Sequence, residues 1–177
     1  VHEFDGVILA WFHHADEPAS WHVPEPDADG WSDISQSTRQ LRTHPQETTE
    51  NSVDLGHLVH VHKYRDVAMI VPLKTDGPKL TASYKMTRDS FLPMAPDVRA
   101  EFDVAVHGLG FSLVEVTVKG LGLRTRHYFM NTPIDGDVVH VRAGVSMRRD
   151  LDFGRFSPTL GPIAGRLVRP ALQALIM

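Results

Sequence analysis

The chain has 177 residues, 42% of them hydrophobic and 23% charged, and a formal net charge of −4 at pH 7. That is enough apolar material for one domain with a real core, and it excludes the low-hydrophobicity, high-charge profile of a disordered segment. The 18 Lys and Arg are dispersed, which argues against a nucleic-acid partner, and the lack of cysteine excludes disulfides, a thiolate nucleophile and any cysteine-held cluster or zinc within this chain.

In chain order, the opening VHEFDGVILAWF reads as strand with a turn at Gly6 and a continuous apolar run at 7–12, and no initiator methionine precedes it. Residues 13–42 are rich in Pro, Asp, Ser and Trp and predict an irregular connection with one short strand near 37–43. Over 48–63 the spacing predicts a helix, with Thr48 or Thr49 as cap and Val53, Leu55, Leu58, Val59 and Val61 as its apolar positions. Then the period changes to two. Strands are predicted at 67–73, 80–87, 99–107, 111–119, 123–131 and 138–149, the last two joined by a tight turn at Asp135-Gly136. Residues 163–177 return to helical spacing and stop without a cap. Both abrupt ends lead us to expect a piece of a longer protein. One helix, an antiparallel meander and a terminal helix make an α+β fold in which a curved sheet wraps a helix. No apolar run approaches the ~20 residues of a membrane span and no signal sequence precedes the first strand, so a soluble, cytoplasmic protein is expected.

The stretch ENSVDLGHLVHVH, at 50–62, concentrates the chemistry. On a regular helix residues three or four apart share a face, so geometry alone pairs His57 with His60 and sets Asp54 one turn before His57. His57 and His62 lie roughly 140° apart around an undistorted helix and converge only if it ends or bulges between them. Gly56 within the segment permits such an irregularity. The plain alternative is a polar helix whose histidines are surface or core residues.

Asn51, Asp54, His57 and His62 fall on the pattern N-x-x-D-x-x-H-x-x-x-x-H, which resembles the mononuclear iron motif of Rieske non-haem iron oxygenases. VHEFDGVILAWF resembles the closing strand of that family's Rieske domain, and RTRHYFMNTPIDGDVVHVR, with its TPID turn, the late strands of the 3-ketosteroid 9α-hydroxylase and cholesterol 7-desaturase branch. The resemblance spans nearly the whole chain. It implies a helix-grip (START-like) antiparallel sheet wrapped around the C-terminal helix, with residues 1–15 closing an otherwise missing Rieske domain and 16–177 forming the catalytic domain, truncated at that helix.

It further implies Fe(II) held by His57 and His62, Asp54 as an electron bridge to the cluster of a neighbouring subunit, and Asn51 near the iron without being a firm ligand. Their ordinary roles would be a helix acid and an N-terminal cap. Two imidazoles and one carboxylate on one face of Fe(II) leave the other positions free for dioxygen beside the substrate. The family's third ligand is an Asp on or near the C-terminal helix. It is expected just past Met177, with Asp150 and Asp152 as the last carboxylates inside the chain. The [2Fe–2S] Rieske cluster belongs to the parent protein and not to this cysteine-free chain. A ferredoxin or flavin reductase, an apolar, sterol-like or polycyclic substrate and a homotrimeric parent are expected partners.

A binding-only helix-grip module competes with this reading. A zinc hydrolase on His57 and His60 ranks last, because no HExxH or comparable base is present. His107, His127 and His140 read as satisfied sheet histidines, His13-His14 as solvated, and Trp11, Trp21 and Trp31 as packing anchors. Phe91, Met94, Phe111, Phe129 and Met130 are candidates for an apolar pocket, with core as the commoner fate.

Overall fold

The computed structural model describes residues 1–89, 97–119 and 122–149. Strands β1 (His2–Phe4) and β2 (Val7–Leu9) form a hairpin. Its two turn residues, Asp5 at φ 49° and Gly6 at φ 75°, both take the left-handed conformation that a tight two-residue hairpin turn requires. After the irregular connection come β3 (Ser35–Arg42), helices α1 (Pro45–Glu50) and α2 (Leu55–His60), and then β4 (Arg65–Asp76), β5 (Lys79–Arg88), β6 (Val98–His107), β7 (Phe111–Val118), β8 (Leu123–Pro133) and β9 (Val138–Met147). The last six make an antiparallel meander, and β3 adds beside β9 to give a seven-stranded sheet ordered β3-β9-β8-β7-β6-β5-β4.

Among the described residues the fold is therefore a sheet-dominated α+β arrangement. The helix expected at 163–177 lies outside the described residues, as do Asp150, Asp152, Phe91 and Met94.

Strand alternation sends successive side chains to opposite faces. One face, here called inner, carries rows such as Ala82, Val104, Val114, His127 and Val145 across five strands. Its buried cluster takes in Tyr84, Met86, Ala100 and Val116, and Leu58 of α2 packs into it with Val53 and Leu55 alongside. Burying a side chain of Leu58's size contributes about 1.5–3 kcal/mol, enough to hold a two-turn helix that has little stability of its own.

The outer face is covered over β7 and β8 by the N-terminal chain. Phe4 and Val7 of the hairpin pack on Phe111, Tyr128 and Met130, with the Phe4 and Phe111 rings meeting edge to face at 5.9 Å. Trp31 is buried below Arg126, whose guanidinium lies 4.0 Å from the ring centre, and Arg126 in turn donates to Glu115 Oε1 at 2.8 Å and to the Asp27 carbonyl. Trp31 thus anchors the connection, as expected. Trp11 is more exposed and stands edge-on to Trp21 at 5.6 Å.

The structure replaces the single predicted helix over 48–63 with two short ones. α1 starts three residues before Thr48: His44 is its cap, with Nδ1 accepting from the Gln46 N–H at 3.2 Å, and Pro45 occupies the first position, where a missing N–H costs nothing. Thr48 and Thr49 instead donate their hydroxyls to the Pro45 carbonyl. Asn51 ends α1, and Asp54 adopts an extended backbone and caps α2 by accepting the Gly56 N–H at 2.8 Å. A carboxylate that can cap begins a helix more readily than it sits inside one.

Other differences fall at strand ends. The first apolar run stops pairing at Leu9, and β4 runs from 65 to 76 rather than 67 to 73. Strand β4 is one edge of the sheet, opposite β3. Its pairing with β5 slips three times, between Arg65 and Ala68, Met69 and Val71, and Val71 and Lys74, and Ile70, Val71 and Leu73 stay exposed on it.

Candidate metal centre

α2 ends in a widened turn. The His57 carbonyl accepts the Val61 N–H at 2.9 Å and also the His62 N–H at 3.4 Å, and the Leu58 carbonyl accepts the Tyr64 N–H at 3.1 Å. Lys63 sits at φ 59°, a left-handed conformation that reverses the chain and that a non-glycine residue adopts at some cost. These wide closures swing His62 back over the helix. Its Nε2 lies 3.1 Å from His57 Nε2, with the ring planes at 67° to each other.

At that separation one ring nitrogen can donate to the other, or both lone pairs can address a common cation. Metal–nitrogen bonds of roughly 2.0–2.1 Å meeting at a right angle put their donor atoms about 3 Å apart. The pair therefore fits two adjacent positions of a metal's coordination shell. Among the described residues no group of three or more His, Cys, Asp and Glu that could hold a metal ion occurs, so the pair has no third such donor beside it among them.

The surroundings of His62 favour its neutral, ligating form. Its pKa is lowered, first by desolvation and then by the charges of His57 and Arg88. Tyr64 stacks on the His62 ring with centroids 5.6 Å apart, and the Arg88 guanidinium lies 5.6 Å from the Tyr64 ring centre. Tyr84 O–H donates to the Ser52 carbonyl at 3.4 Å, linking the turn between α1 and α2 to the sheet. Tyr64, Arg88 and Tyr84 had no signal in the sequence, because their relation to the histidines exists only once β5 lies beneath the helices.

The other residues singled out from the sequence are placed as follows. His60 is exposed on α2. Asp54 is exposed at the start of α2 and caps it, and Asn51 is exposed at the end of α1, where its backbone N–H donates to the Glu47 carbonyl at 3.3 Å. His127 is on the inner face with Nε2 2.8 Å from Thr125 Oγ1, and burial pushes its pKa down to about 4, so it is a neutral, hydrogen-bonded sheet residue. His107 is buried near the start of β7, and burial lowers its pKa as well. Phe111 and Met130 belong to the outer-face core, whereas Phe129 packs beside the inner cluster. A shallow cavity of about 320 Å³ lined by Thr81, Ser83, Asp103, Leu113 and Glu115 includes neither histidine of the pair.

The model of the 3-ketosteroid 9alpha-hydroxylase C-terminal domain matches residues 10–156. Among solved structures, dicamba monooxygenase bound to 3,6-dichlorosalicylic acid superposes with a TM-score of 0.55 at 17% identity, over 77% of this chain and 46% of that one. NdmA of Pseudomonas putida CBB5 with caffeine gives 0.58 at 15% identity, over 83% and 44%. TTHA0849 from Thermus thermophilus gives 0.54 at 14% identity, over 81% and 88%. These likenesses are of fold. The chain spans less than half the length of dicamba monooxygenase and NdmA, and no curated protein matches it.

Proposed function

The chain belongs to the family of 3-ketosteroid 9α-hydroxylase C-terminal domains, and from that premise we propose that it is the catalytic part of a Rieske-type oxygenase that hydroxylates an apolar, sterol-like or polycyclic substrate. The observation that carries the reading is the approach of His57 and His62 Nε2 to 3.1 Å at the end of a helix anchored in the inner face. A family member of this kind works with non-haem iron; His57 and His62 would hold Fe(II), which would supply one-electron chemistry with dioxygen.

The chain's own residues hold and orient. His57 is fixed by α2, and His62 by the widened turn and by the Tyr64 ring stacked on it. Leu58, buried between the two ligands in sequence, ties their backbone to the sheet that would receive the substrate. Asp54, exposed one turn before His57, is available to a neighbouring subunit's cluster domain, and Asn51 lies just before it. His60 holds no metal in this scheme. The third ligand is a carboxylate that the described residues do not supply, and Asp150 and Asp152 stay candidates for it alongside a residue beyond Met177. A reductase, the [2Fe–2S] cluster and a trimeric parent complete the proposed system.

Fe(II) titration of the chain under anaerobic conditions tests the reading. Weak loading is expected, and His57→Ala and His62→Ala should each abolish it while His60→Ala leaves it unchanged. Loading that follows His60 rather than His62 refutes the assignment, and loading indifferent to all three favours a module that only binds small molecules.

A further inference from the structure

The histidine pair has an oxidisable ring laid against it. Tyr64 stacks on His62 with centroids 5.6 Å apart and planes 20° from parallel, an offset arrangement that sets a phenol against the face of a proposed ligand. Three contacts keep it there. The Tyr64 N–H donates to the Leu58 carbonyl at 3.1 Å, Leu58 is buried in the inner cluster, and the Arg88 guanidinium lies 5.6 Å from the Tyr64 ring centre. The ring is nevertheless half-buried rather than sealed, so small molecules reach it from solvent.

The chain's other phenols and indoles are placed differently. It has three tyrosines and three tryptophans, all among the described residues. Tyr84 is buried and lies flat on Phe102 at 5.1 Å, and Tyr128 is sealed under the N-terminal hairpin. Trp11 and Trp21 meet each other, and Trp31 lies under Arg126 on the outer face. Tyr64 is thus the one electron-rich ring stacked on either histidine.

We propose that Tyr64 is an oxidative modification site, hydroxylated next to its phenol oxygen by hydrogen peroxide when iron is held by His57 and His62. This rests on the reading of the pair as an iron site and adds a product that attack on substrate does not give. The peroxide O–O bond breaks; one oxygen enters the ring in place of a hydrogen, and that hydrogen leaves with the second oxygen as water. The ring loses two electrons and the peroxide gains them, so no further reductant is required, and the phenol becomes a catechol. Peroxide is the two-electron reduction product of dioxygen, the co-reactant of the proposed activity. It therefore arises at the site whenever reduced dioxygen leaves without oxidising substrate.

The test is peptide mass spectrometry of the full chain, loaded anaerobically with Fe(II) and then exposed to hydrogen peroxide. One added oxygen is expected on Tyr64, with Tyr84 and Tyr128 unchanged. Zn(II), which has no redox chemistry, should give none, and His57→Ala and His62→Ala should each remove it. Tyr64→Phe, which keeps the stacked ring but lacks the activating phenol oxygen, should cut modification there severalfold. Exposed Met69 is the internal control, because peroxide alone makes its sulfoxide in every arm. Oxygen on Tyr64 with Zn(II), or in both histidine variants, overturns the site, since bulk peroxide then suffices. An unmodified Tyr64 in the iron-loaded chain, or oxygen on His57 or His62 in its place, also overturns it while the iron reading stands. If Fe(II) does not load through the histidines and no oxygen is added to any of the three residues, both readings fall.

Discussion

Along β8 one strand serves two faces in opposite ways. Its outward residues Arg126, Tyr128 and Met130 are sealed under the N-terminal hairpin and the connection that follows it, with Tyr128 only 1% exposed. Of its inward residues, Leu123, Thr125 and Asn131 are buried, while Phe129 stays partly open beside the cluster that Leu58 of α2 packs into. About β8 the outer face is closed by apolar residues and a tryptophan clasped under arginine, which is how a core is built. The inner face holds the larger buried cluster, around Tyr84, Val104 and Val116, but about Phe129 it is less completely covered, and Ser112 and Asn131 there have polar groups without a hydrogen-bond partner among the described residues. A residue's value to stability should follow the first description and its value to function the second.

Truncation at adjacent positions gives the largest contrast. Tyr128→Ala, which empties a sealed site, is expected to cost about 3–5 kcal/mol in urea unfolding. Phe129→Ala, one residue on and facing the other way, should cost well under half of that and show its effect in ligand affinity instead. Equal losses at the two positions would mean that both faces are core.

Acid titration sharpens the same contrast at an intermediate size. His127 has its pKa lowered to about 4 from an ordinary 6.5 by burial, so the unfolded chain takes up a proton that the folded chain refuses. Stability is complete above pH 6.5 and falls as the pH drops from there towards 4, by at most about 3 kcal/mol. Against His127→Gln, whose side chain does not titrate, the wild-type chain should show this extra loss in unfolding curves taken across the window. Parallel pH profiles would place His127 in water rather than in the sheet.

The smallest effect belongs to the histidine pair. His57 and His62 contribute little packing, so His57→Ala and His62→Ala should move the unfolding free energy by no more than about 0.5 kcal/mol. A loss of several kcal/mol would make the pair structural, and its closeness a by-product of packing.

Much of the sheet could be read from the sequence, since alternation over six segments is a long, repeated signal, and the Asp135-Gly136 turn is closed as expected, with Asp135 Oδ1 accepting the Asp137 and Val138 N–H groups. The helical region was harder because its segments are short. Thr48, Thr49 and Asp54 are all capping residues, and which of them caps depends on where Pro45 and Leu58 dock, a tertiary matter. The motif pointed to His57 and His62, but their geometry rests on Lys63 in a left-handed conformation, which lysine does not advertise. Ser112 and Asn131 fit their strand pattern without comment. Only the register that sets them side by side, and the lack of partners among the described residues, marks them out.

Strand β4 has a consequence for how the chain behaves among its own copies. An open sheet ends in a row of free backbone donors and acceptors, and one lined with Ile70, Val71 and Leu73 is an invitation to stack into fibrils. The three slips in its pairing with β5 break that row into short, misaligned pieces, and Pro72 has no N–H to offer. The crooked backbone thus guards this edge as well as surface charge does, and a change that straightened it would bring precipitation before it brought any loss of fold.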